Sequence, residues 1–101
     1  MKELLIVCEL TPAELAARRE GLLPSLLALA QERVRLSNGF RWRFAPSTEF
    51  LDAAIRMIDA ERRCCRFLKF ALTVEPDEGD MWLEVTGPQG TVEFLDALIN
   101  A

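Results

Sequence analysis

The sequence predicts an α+β fold: a two-layer α/β sandwich in the order βαβαββα, built on a mixed four-stranded sheet with helices on one face. Three observations carry that prediction. Apolar and polar residues alternate in four short stretches, the period of a half-buried strand. Between them lie stretches with apolar residues three and four apart, the period of an amphipathic helix. At 101 residues, half of them hydrophobic, the chain suits a single α/β domain spanning 1–101 whose core needs neither disulfides nor metal.

The first strand is read over Lys2 to Leu10, with Leu4, Ile6, Cys8 and Leu10 on one face. Its other face, through Leu5 and Val7, is half apolar, which suits a central strand. Thr11-Pro12-Ala13-Glu14 is a helix start: Thr11 caps, Pro12 takes the first helical position, and Glu14 completes a capping box. Helical spacing follows through Leu15, Leu22, Leu26, Leu29 and Arg33. Pro24 interrupts it, because a mid-helix proline removes one hydrogen bond and clashes with the preceding turn. Ser37-Asn38-Gly39 is a turn. Phe40, Trp42 and Phe44 then alternate with Arg41 and Arg43, a strand with an aromatic core face and a basic outer face.

Pro46-Ser47 opens the next helix, which runs to about Arg63 on the stripe Phe50, Leu51, Ala54, Ile55 and Ile58. Leu68, Phe70, Leu72 and Val74 line one face of the third strand. Pro76 to Asp80 forms a hairpin loop, and Met81, Leu83 and Val85 continue the core face on the fourth. Gly87-Pro88-Gln89-Gly90 leads into a last helix through Phe94, Leu95, Leu98 and Ile99. The open face of the sheet then carries Leu5, Val7, Arg41, Arg43, Lys69, Ala71, Thr73, Trp82 and Glu84. That mixture of apolar and charged groups predicts a homodimer.

The formal net charge is -4, which argues against direct nucleic-acid binding. The charge is unevenly spread. Residues 33–69 carry nine bases against four acids, whereas residues 70–101 carry seven acids and no base. Basic and acidic elements are therefore expected to face each other across the fold or a dimer interface. No stretch approaches the roughly 20 apolar residues of a membrane span. The run Leu4 to Val7 is too short for the apolar part of an export signal. Three cysteines, an odd number, do not make a disulfide framework. The expectation is a cytoplasmic protein, away from the membrane, with its thiols reduced.

The chemistry concentrates in Glu61-Arg62-Arg63-Cys64-Cys65-Arg66-Phe67. Adjacent residues of a helix point about 100° apart, so Cys64 and Cys65 share a ligand only if the helix ends there. The strand that follows predicts that it does. Glu61 lies three and four residues before the two thiols and so shares their face. Arg62, Arg63 and Arg66 favour thiolate over thiol, while the helix C-terminus opposes it.

Two thiolates suit soft ions such as Cu(I), Hg(II), Zn(II) or As(III), or a redox pair; the plainer alternative is a cysteine packed as a small hydrophobe. With no histidine in the chain, zinc needs thiolates and carboxylates alone, or ligands from two subunits. For the same reason there is no Cys-His pair, and an enzymatic redox role lacks an evident base. Cys8 is a third candidate ligand. A continuous first helix puts it at the opposite end of the sheet from Cys64, and a hairpin split at Pro24 brings it to the same end. The leucines around Pro24 favour a kink over a reversal.

The segment from Glu61 to Phe70, with Leu72-Thr73-Val74-Glu75-Pro76, Trp82 to Pro88 and Cys8 to Pro12, resembles a group of small uncharacterised bacterial proteins. They share a Glu-x-x-Cys-Cys-x-Phe-x-x-Phe signature and are loosely linked to heavy-metal resistance. The resemblance implies thiol chemistry near heavy metals, with Glu61, Cys64, Cys65 and Phe67 as the carried-over residues. That pattern has proline after the second cysteine, and here Arg66 stands in its place. The functional expectation is a thiol-based binding protein for a soft metal or metalloid ion. Cys64 and Cys65, with Cys8 as the third candidate, serve as ligands, and Glu61, Arg62, Arg63, Arg66 and Phe67 surround them. A non-catalytic homodimeric module with structural cysteines, or a thiol redox protein, are the alternatives.

Overall fold

Residues 22–99 are described by the computed structural model. The expected strand over Lys2 to Leu10 and the helix start at Thr11 lie outside them. The described chain runs α1 (Leu22–Leu27), β1 (Glu32–Leu36), β2 (Gly39–Phe44), α2 (Thr48–Cys64), β3 (Lys69–Val74), β4 (Met81–Thr86) and α3 (Thr91–Ile99).

The fold is α+β: among the described residues a four-stranded sheet carries three helices, and the neighbouring strands are antiparallel throughout in the order β1-β2-β4-β3. The mixed sheet read from the sequence is thus corrected for the described strands. Two strands of that reading, β2 and β3, do run parallel to each other. They never touch, because β4 lies between them and pairs antiparallel with both. β2, α2 and β3 therefore form a split β-α-β unit.

The second correction concerns residues 28–36. The helical spacing through Leu29 and Arg33 predicts a helix, but α1 stops at Leu27 and Leu29 is 64% exposed. Glu32 to Leu36 is a strand instead, joined to β2 by the two-residue loop Ser37-Asn38. Its alternation around Val34 lets it complete a ladder along β2, which a further helical turn would forfeit. The close approach of this hairpin to β4 fixes Gly39: a Cβ there would collide with the Val85 carbonyl oxygen.

The remaining elements form where their sequences place them. Ser47 caps α2, its Oγ accepting the Phe50 N–H at 2.9 Å. Thr91 is fully buried at the start of α3, its hydroxyl donating to the Pro88 carbonyl at 2.6 Å. Pro76 to Gly79 turns the β3–β4 hairpin, with the Gly79 N–H bonded to the Pro76 carbonyl at 3.1 Å. Asp77 and Glu78 are both left-handed there, at φ of 58° and 55°. Those are the φ values of a type I′ turn, set here in a four-residue loop that the Glu75 N–H closes on the Asp80 carbonyl.

The core lies between the sheet and the helices. Phe40, Trp42 and Phe44 of β2 and Met81, Leu83 and Val85 of β4 are buried against Leu23, Leu26, Phe50, Ala54, Met57, Leu95 and Leu98. Phe44 stacks on Phe50 with centroids 4.2 Å apart. The aromatic core face read from the sequence is as expected. The stripe on α2 is rotated: its buried residues are Phe50, Ala54, Met57 and Glu61, whereas Ile55 is 57% exposed.

Candidate functional site: the end of α2

α2 ends at Cys64. Cys65 leaves helical geometry at φ -114° and ψ 74°, and its N–H closes on the Glu61 carbonyl at 2.7 Å. The Cys65 carbonyl then accepts the Leu68 N–H at 3.0 Å, turning the chain into β3. The helix thus ends where the adjacent thiols require it to end if they are to share a ligand. The turn places them at different depths: Cys64 is half-buried against the core, and Cys65 is 1% exposed inside it. Both are thiols. Phe67 is buried beside them and meets Phe94 of α3 edge-on at 5.1 Å, which ties this turn to the last helix.

Glu61 is the outlier. Its side chain is 2% exposed, one turn before the thiols on the buried face of α2, where a core residue is ordinarily apolar. Burying a carboxylate costs several kcal/mol unless hydrogen bonds, a cation or a proton offset it. A buried acid in a turn that also holds two thiols is a candidate functional group.

The arginines divide. Arg62 and Arg63 turn back one helical turn to Asp59. Arg62 reaches Asp59 Oδ1 through Nε at 3.0 Å and Nη2 at 2.7 Å, and Arg63 Nη2 reaches Oδ2 at 3.0 Å. The hydrogen bond from Arg62, with the charge of Arg63 beside it, holds the Asp59 carboxyl below its ordinary range. Both guanidiniums stay largely in solvent, where such pairs stabilise little. They also sit favourably on the last turn of α2. Their charge is shared with Asp59, a partner that the motif-centred reading passed over. The i,i+3 and i,i+4 spacing is the signal that finds it. Arg66 is exposed on the turn after Cys65.

Cys8 lies outside the described residues. Among the described residues no group of three or more His, Cys, Asp or Glu is arranged to hold a metal ion. The turn leaves the Cys64 thiol at the margin of the core, with Cys65 and Glu61 buried behind it.

The open face of the sheet is knitted together within the chain. The Arg41 guanidinium lies over the Trp82 ring, 4.0 Å from its centroid. Arg43 donates to Glu32 at 3.1 Å, Gln31 at 2.9 Å and Asp80 at 3.3 Å. The Glu32 hydrogen bond is the main cause of its raised pKa. Ala71, Thr73, Trp82 and Glu84 share this face as the sequence predicts; Leu5 and Val7, expected there too, lie outside the described residues. No described helix is long and apolar enough to cross a membrane.

No family model, no curated protein and no solved structure matches this chain.

Proposed function

We propose that this chain is a cytoplasmic thiol-based binding protein for a soft metal or metalloid ion, with Cys64 and Cys65 as ligands. The observation that carries the reading is the buried Glu61 carboxylate one turn before two thiols at a helix end. Two thiolates satisfy Cu(I) or Hg(II), which accept two-coordinate geometry, better than they satisfy zinc, which takes four ligands. A third thiolate, which As(III) needs, would have to come from Cys8. Cys64 is the outer sulfur, so an ion would arrive on its side and draw Cys65 into coordination. Binding would release thiol protons and tighten with rising pH.

The test is competition for Cu(I) against a chromophoric chelator, with reduced protein. Wild type should bind more tightly than the Cys64→Ser, Cys65→Ser double variant. Equal affinity removes the thiolate site.

The second reading is a non-catalytic homodimeric module with structural cysteines. The burial of Cys65 and the capture of Arg62 and Arg63 by Asp59 favour it. Under this reading Cys65→Ser destabilises the fold while metal affinity stays at the level of the variant. In both readings the chain acts as a homodimer. The self-paired charges of the open face support no direct nucleic-acid partner.

A further inference from the structure

We propose that the homodimer forms edge to edge, β3 pairing antiparallel with β3 of a second copy about a twofold axis at Leu72, into one continuous sheet. The inference rests on the homodimer reading above and replaces the open face with the sheet edge as the interface.

Among the described strands β3 is one end of the sheet, and it makes its ladder with β4. The Glu75 N–H donates to the Asp80 carbonyl. Main-chain groups of an antiparallel strand alternate in direction, so Lys69, Ala71 and Thr73 also bond toward β4. Phe70, Leu72 and Val74 therefore present their N–H and C=O groups outward. Those rows are a template for another strand. The strand is poorly defended as edges go: Lys69 is its only charge, and Val74 is 53% exposed.

A twofold axis at Leu72 fixes the register. Leu72 meets Leu72 of the partner subunit, and Phe70 meets Val74 of the partner subunit, all on the core face, so Val74 loses its exposure. Phe70, Leu72 and Val74 are the outward-bonding residues, so these pairs exchange hydrogen bonds and the outer ladder is satisfied. On the open face Ala71 meets Thr73 of the partner subunit, and Lys69 meets Glu75 of the partner subunit. The last pair occurs twice by symmetry and falls at a non-hydrogen-bonded position, where side chains are closest.

The other edge fails the same construction. β1 reads Glu32-Arg33-Val34-Arg35-Leu36. Pairing it with itself about Val34 sets Arg33 against Arg35 of the partner subunit twice, a like-charge contact that opposes association. One edge is thus self-complementary and the other self-repelling, and the occupant that fits β3 is a second copy.

Sedimentation equilibrium of the full chain tests this with charge exchanges at two exposed positions. Wild type should be dimeric at tens of micromolar. Lys69→Glu and Glu75→Lys should each raise the dimer Kd roughly tenfold or more, since both symmetric pairs change from attraction to repulsion. The double exchange should restore it to within about threefold of wild type. Arg41→Glu, on the open face, should leave it unchanged. A dimer indifferent to the exchanges overturns the edge. If Arg41→Glu instead dissociates it, the homodimer reading stands with the open face as its interface. Failure of the double exchange to restore the dimer overturns the register. A monomeric wild type removes the homodimer reading and the edge together.

Discussion

β2 and β3 flank the same strand, run in the same direction and carry similar alternations of apolar residues, yet they end in different environments. Phe40, Trp42 and Phe44 of β2 are all buried, with β1 and β4 on either side and α3 packed against the strand. Phe70 and Leu72 of β3 are half-covered, and Val74 is more than half exposed. Alternation fixes which side of the sheet a side chain takes. It does not fix how deep the side chain goes, because depth depends on neighbours contributed by distant parts of the chain. The same contrast separates the two sulfurs: adjacent in sequence, Cys64 stays at the margin of the core and Cys65 enters it.

The largest expected effects test that contrast directly. Trp42→Ala should cost about 3–5 kcal/mol, the range for removing a buried aromatic ring. Leu72→Ala, at a half-buried edge position, should cost about 1 kcal/mol, compared by denaturant titration at equal protein concentration. Equal costs would erase the distinction between the central and the edge strand. A smaller and opposite effect is expected in the loop after β3. Glu78 is held left-handed at φ 55°, which costs a side chain about 1–2 kcal/mol. Glu78→Gly removes that strain and creates the Asp-Gly pair that the turn favours, at an entropic cost of about 0.4–1 kcal/mol. The net should be a gain of about 0.5–1 kcal/mol in the same titration, and a loss would mean that the turn is not the primed type.

Five of the seven described elements were legible from residue pattern alone, because each has strong punctuation. Ser47 caps α2, Pro76 to Gly79 turns the hairpin, and the Phe-Arg-Trp-Arg-Phe run allows one facing only. β1 was not legible: three of its five residues are charged, and Leu29 and Arg33 happen to fit helical spacing with Leu22 and Leu26. The hairpin partner overrides that local pattern. The rotated stripe of α2 has a related cause. Ile55 looks like a core residue and Glu61 does not, yet the buried line of the helix runs from Phe50 through Ala54 and Met57 to Glu61, with Leu51 and Ile58 half-buried beside it. A buried acid is invisible to any reading by hydrophobicity. The site was legible as a motif and as a helix end. The depth of Cys65 and the diversion of Arg62 and Arg63 to Asp59 required the folded chain.

The central claim is that both sulfurs at the end of α2 bind one ion despite their different depths. X-ray absorption at the copper edge of the reduced, Cu(I)-loaded protein counts the sulfur neighbours directly. The account predicts that Cys64 and Cys65 both contribute, so that Cys64→Ser and Cys65→Ser each remove one sulfur and Cys8→Ser shows whether a third is present. A sulfur count unchanged by both Cys64→Ser and Cys65→Ser would contradict it.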